Sequence, residues 1–188
     1  MEKVDFFTTP CWITALNLNT KELLKDIKKF SSKTESKAIS NIGGYQGHDF
    51  PHQKFIDAVL ENVPTLVNKP LTERKIYTWV NINRNNNYNQ RHTHLDTNCF
   101  LSGVYYVKVP ENSGNIRFYD PRGALIQGMP EHDYYHNGFA YHYLEPQEDM
   151  VIYFPSWLEH DVEPNESNKE RVSIAFNVYA TFDKKNPI

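Results

Sequence analysis

At 188 residues the chain has the length of one domain with a single sizeable core. Hydrophobic residues at 39% and aromatic residues at 14% exclude a disordered chain, and a formal net charge of -3 gives no electrostatic case for binding nucleic acid or an anionic membrane. Two cysteines, Cys11 and Cys99, are too few for a disulfide framework, and no stretch approaches the roughly 20 apolar residues of a membrane span, so a cytoplasmic protein with free thiols is expected.

In chain order, Phe6 to Ile13 reads as an extended piece, with neither the basic start nor the apolar run of a signal peptide before it. Asn19 or Thr20 can cap a helix reaching Phe30, because Leu23, Leu24, Ile27 and Phe30 fall on one stripe. Residues 31–40 are polar and loop-like, and Gly43-Gly44-Tyr45-Gln46-Gly47 is turn-prone. A second helix is expected from Pro51, with Phe55, Val59 and Val63 as its apolar face ahead of Pro64. From about Lys75 the pattern changes to strands at 75–82, 100–109, 115–119, 141–144, 150–154 and 172–181, with turn signals at 85–87, 110–114, 120–123 and 164–168. The asparagine-rich segment from Asn81 to Asn89 reads as a loop rim. Together these elements predict a single, mainly β domain, in which residues 1–74 form a mainly helical support and 75–181 an antiparallel double sheet of the jelly-roll kind.

Chemistry concentrates in two places. His92-Thr93-His94-Leu95-Asp96 alternates three potential ligands, and side chains at i and i+2 leave the same face of an extended strand. His94 and Asp96 could therefore point at one ion, with a third ligand from His160, far downstream at the end of another apolar strand. Two imidazoles and a carboxylate suit Fe(II) and leave positions open for a cosubstrate and dioxygen, whereas the lack of thiolates nearby argues against structural zinc. His92 is either a supporting partner or an alternative ligand. Arg171 and Ser173 share one face of the last strand, where a guanidinium can grip a carboxylate through two parallel hydrogen bonds and a hydroxyl can add a third. Asn177 lies further along that face, by parity close to the metal position. His132 and His136, at i and i+4, and the remaining histidines read as surface or packing residues.

These residues resemble the signature of the Fe(II)- and 2-oxoglutarate-dependent oxygenase superfamily, over roughly residues 75–181. Leu101-Ser102-Gly103-Val104-Tyr105-Tyr106, Gly114 through Arg122, and Phe154 through His160 look more narrowly like a small bacterial and phage-associated subgroup with prolyl-hydroxylase-like features. Members of that subgroup often carry a second histidine where Asp96 stands. The resemblance implies a double-stranded β-helix, iron on His94, Asp96 and His160, and 2-oxoglutarate on Arg171, Ser173 and Tyr106. It also implies a dioxygenase that hydroxylates a small-molecule or peptide substrate and releases succinate and CO2, in a bacterial or phage-infected cell. Trp79, Tyr88, Phe100 and Trp157 are candidates to line or shield the pocket. The rival readings are a non-catalytic jelly-roll module, which has no need of this residue set, and a cupin-type metalloenzyme, which has no need of Arg171.

Overall fold

The computed structural model describes residues 8–66, 71–122 and 141–182. Phe6 and Phe7 of the expected extended piece, and the His132/His136 pair, lie outside the described residues. Along the chain run β1 (Trp12–Ala15), α1 (Thr20–Ser31), β2 (Asn41–Ile42), β3 (Tyr45–His48), α2 (Gln53–Leu66), β4 (Leu71–Asn83), β5 (Tyr88–His92) and β6 (Cys99–Lys108). They are followed by β7 (Ile116–Tyr119), β8 (Tyr141–Leu144), β9 (Met150–Pro155), β10 (His160–Val162) and β11 (Arg171–Phe182). The strands form two sheets, one in the order β1-β9-β6-β11-β4-β3 and the other β2-β5-β10-β7-β8, with antiparallel pairing throughout.

Both helices form where the apolar spacing places them. Asn19 is the N-cap of α1, its side-chain oxygen accepting from the Glu22 amide at 3.2 Å. Leu23 and Ile27 are buried from α1, as are Phe55, Val59 and Val63 from α2. Each of these large side chains contributes about 1.5–3 kcal/mol by leaving water. They pack against the outer face of the larger sheet, where Val172, Ile174, Phe176 and Val178 of β11 and Tyr105 and Val107 of β6 complete the main core. A second core of Val104, Ile116, Phe118, Ile152, Phe154 and Leu158 forms a separate cluster that includes Tyr106.

Strand parity explains why one face of the larger sheet carries function. On β11 the residues that alternate with the apolar set are Arg171, Ser173, Ala175, Asn177 and Tyr179; their β4 register partners are Asn83, Asn81, Trp79, Tyr77 and Lys75. The stretch from 1 to 74 is more than a helical support, because β1 pairs with β9, β2 with β5, and β3 with β4. The turn-prone glycine segment thus supplies an edge strand. Asp149 ties this region down: its carboxylate accepts from the Asn17 and Leu18 amides and from the Tyr105 hydroxyl, the last at 2.7 Å. Among the described residues no helix is long and apolar enough to cross a membrane. Cys11 and Cys99 are both free.

Candidate active site

His92 ends β5 and His160 begins β10, and the two are register partners in the smaller sheet. A register shift follows between His160 and Val162, a bulge of the kind that re-aims side chains beside functional sites. His94 lies just past the end of β5, where its amide donates to the Ser156 carbonyl at 2.9 Å. One ligand atom from each of His92, His94 and His160 falls within 4.8 Å of the others. The ring centroids are 4.4 Å apart for His92 and His160, 4.9 Å for His92 and His94, and 5.2 Å for His94 and His160.

The structure therefore gathers His94 and His160 with His92, and Asp96 is not part of the cluster. The alternation expected to carry Asp96 alongside His94 requires an extended chain, but β5 ends at His92 and the chain turns at Thr97 and Asn98, the latter with φ of 66°. Asp96 is exposed, and its carboxylate accepts from the Tyr179 hydroxyl at 2.8 Å.

Half-burial of His92 and His94 and full burial of His160 disfavour the charged form of each imidazole. Burial pulls His160 well below its ordinary range and lowers His92; His94 is lowered to about 4, first by burial and then by the neighbouring His92. Neutral imidazole is the form that binds a metal. Two of the rings are oriented by backbone carbonyls: His92 Nδ1 meets the Gln90 carbonyl at 2.7 Å and His160 Nδ1 the Leu158 carbonyl at 2.9 Å. A proton on Nδ1 in those hydrogen bonds leaves Nε2 with its lone pair. His94 Nδ1 instead lies 3.4 Å from the Asn177 amide nitrogen, while Ser102 donates to the Asn177 oxygen at 2.7 Å.

From the histidines a narrow slot runs between the sheets, lined by Tyr106, Ile116, Phe154, Asn81, Asn89, Ser173 and Arg171. Arg171 is 2% exposed. Its Nη1 donates to the carbonyls of Ser113, Gly114 and Glu163, the Gly114 contact being 3.2 Å. Gly114 has φ of +86°, and a Cβ there would stand 2.5 Å from the Glu163 carbonyl oxygen, so only glycine brings this loop close enough to offer its carbonyl. No carboxylate hydrogen-bonds Arg171 among the described residues, and burial lowers its pKa. The Tyr106 hydroxyl is buried without a hydrogen-bond partner among the described residues. A buried guanidinium that no described carboxylate hydrogen-bonds thus stands beside a buried phenol with no described partner. Tyr106, Ser173 and Asn81 are register neighbours across three strands, and Arg171 lies two residues from Ser173 on the same face of β11.

The loop-rim expectation for residues 81–89 holds only for the turn at 85–87. Asn81, Asn83 and Asn89 are buried and linked: Asn41 donates to Asn81 and Asn83, Asn83 to Asn89, and Asn89 to Ser40 and Asn81. The available signal was the alternation of Asn81 and Asn83 with Val80 and Ile82, which puts amides on the inward face of a strand. Past the histidines the slot opens into a mouth of about 860 Å³. Trp79, Ser40, His92 and His94 line both spaces. Tyr88, Phe100 and Trp157 line neither.

An antiparallel double sheet thus holds a cluster of three imidazoles between a buried slot and an open mouth. Residues 77–177, more than half of the chain, match the family described as "Putative 2OG-Fe(II) oxygenase", and the chain belongs to that family. It is a 2-oxoglutarate-dependent oxidoreductase whose cofactors are Fe(II) and 2-oxoglutarate and whose co-reactant is dioxygen. Solved structures share the fold. A prolyl-4-hydroxylase from Pseudomonas putida superimposes with a TM-score of 0.64 at 16% identity, over 93% of this chain and 94% of that one. HygX from Streptomyces hygroscopicus, with nickel and 2-oxoglutarate bound, gives 0.66 at 12% identity, over 93% and 84%. The viral collagen prolyl hydroxylase of Paramecium Bursaria Chlorella virus-1, a 2-oxoglutarate complex, gives 0.57 at 15% identity, over 91% and 96%. No curated protein matches the sequence significantly.

Proposed function

We propose that His92, His94 and His160 hold the iron, that Arg171, Tyr106 and Ser173 hold the far carboxylate of 2-oxoglutarate, and that the substrate enters through the mouth to be hydroxylated. The observation that carries this reading is the buried Arg171 beside the orphaned Tyr106 hydroxyl, at the far end of a slot whose other end is the imidazole cluster. When bound, Fe(II) and 2-oxoglutarate supply an oxidative decarboxylation that yields succinate and CO2 and inserts one atom of dioxygen into a substrate C–H bond.

The chain's own residues position and shield that chemistry. Arg171 and Tyr106 offer donors to the far carboxylate, and Ser173, a register partner of Tyr106, adds a hydroxyl in the same row. The Gln90 and Leu158 carbonyls fix two imidazoles with Nε2 free. Phe154, 4.7 Å from His160 by ring centroids, and Phe118 form an apolar flank that keeps water from the cluster. Asp96, outside the cluster, faces the substrate side. We take the 188 residues as one oxygenase domain acting on a small molecule or peptide in the cytoplasm of a bacterium or a phage-infected cell. The two free thiols suit that compartment.

Replacing Arg171 by Ala tests the assignment. Calorimetric titration should show 2-oxoglutarate binding lost while the metal content of the purified protein is retained. Unchanged 2-oxoglutarate affinity would remove the basis for the slot.

A further inference from the structure

The outer part of the mouth has a chemistry of its own, beyond the His92 and His94 that line its inner end. Tyr77 is 53% exposed, and its ring meets that of Tyr179 with centroids 5.2 Å apart and planes at 78°, so the two rings form a corner. Trp79, two residues deeper on the same face of β4, continues the aromatic wall inward, with its ring centroid 5.5 Å from that of His94. The Tyr179 hydroxyl donates to Asp96, and no cation pairs with Asp96 among the described residues. Ile39 and Leu95, 72% and 74% exposed, give the mouth an apolar rim.

We propose that this corner of Tyr77, Tyr179 and Trp79, with Asp96 beside it, is a cage for an alkylammonium group, and that the substrate is a molecule carrying one such cation. Aromatic faces present negative potential, and perpendicular rings present two such faces to one cation; a carboxylate next to them supplies the countercharge. Methyl or methylene groups around the nitrogen match the apolar rim better than a bare ammonium would. Lys75 stands at the outer end of the same face, as register partner of Tyr179. This inference rests on the reading of the mouth as the substrate entrance.

The test uses choline and its neutral isostere 3,3-dimethylbutan-1-ol, which has carbon in place of nitrogen. Each is titrated by NMR into protein loaded with Zn(II) and 2-oxoglutarate. Choline should bind about tenfold more tightly than the isostere, the margin expected of cation–π contacts with a nearby carboxylate. Tyr77→Ala and Asp96→Asn should each erase most of that margin. Tyr179→Phe, which keeps the ring but frees Asp96, should reduce it less. Equal affinity for the two probes, or a margin unchanged in Tyr77→Ala, overturns the cage. A parallel sample with Fe(II) separates the two readings. A visible iron–2-oxoglutarate band without choline selectivity sinks the cage and leaves the oxygenase site standing, whereas choline selectivity without the band does the reverse.

Discussion

Replacing Tyr106 by Phe removes one oxygen atom, and the structure gives that change opposite effects on stability and on binding. The Tyr106 side chain is 1% exposed, and its hydroxyl has no partner among the described residues. Burial raises its pKa, so it remains a neutral donor at every working pH. A buried hydroxyl left unmatched costs about 1–3 kcal/mol, and the ring itself packs identically in Phe. The variant without cosubstrate should therefore be no less stable than wild type. Recovering about 1–2 kcal/mol corresponds to a Tm higher by some 2–8 °C in a domain of this size. With 2-oxoglutarate present the sign reverses, because a hydrogen bond to a charged carboxylate is lost. At about 1.5–3 kcal/mol this weakens binding roughly 10- to 150-fold. Thermal unfolding with and without 2-oxoglutarate, together with calorimetry on the metal-loaded protein, reads both effects. A lower Tm without cosubstrate and an unchanged 2-oxoglutarate affinity would show that the hydroxyl is satisfied within the protein, and would refute its role in the slot.

Two further outcomes follow from the imidazole cluster. His92→Ala should weaken metal binding, measured by chelator competition, beyond the roughly 10–100-fold typical of outer partners, while Asp96→Ala should stay within about threefold of wild type; the opposite order would return Asp96 to the ligand set. The metal-free protein should lose stability as pH falls below the unfolded imidazole value near 6.5, because the unfolded chain takes up protons that the folded cluster refuses. The slope is at most about 1.4 kcal/mol per pH unit for each histidine, extending down to about 4 for His94. A Tm that stays flat between pH 7 and 5 would contradict the desolvated, neutral cluster.

Long periodic elements were the legible part of this fold. The stripe Leu23, Ile27, Phe30 and the face Phe55, Val59, Val63 located both helices, and the apolar alternation of Val172, Ile174, Phe176 and Val178 located the central strand. The same alternation made Arg171 and Ser173 readable as a pair, since parity along an unbroken strand survives without coordinates. Short polar strands were not legible: Asn41–Ile42 has two residues, and Tyr45–His48 sits in a glycine-rich stretch, so neither shows a period. His160–Val162 is held by pairing on both sides rather than by its own pattern. That His92 rather than Asp96 clusters with His94 and His160 follows from where β5 ends, which depends on the His92 and His160 register, a contact between residues far apart in the chain. The buried asparagines were obscured by composition, because Asn85, Asn86 and Asn87 belong to a turn while Asn81, Asn83 and Asn89 belong to strands beside it.

Anaerobic titration of the purified protein with Fe(II) and 2-oxoglutarate tests the central claim most directly. A weak visible charge-transfer band should appear in wild type and in Asp96→Ala, and should vanish in His92→Ala and Arg171→Ala. Iron bound without any band in wild type would contradict the 2-oxoglutarate slot, and a band lost in Asp96→Ala but kept in His92→Ala would contradict the imidazole triad.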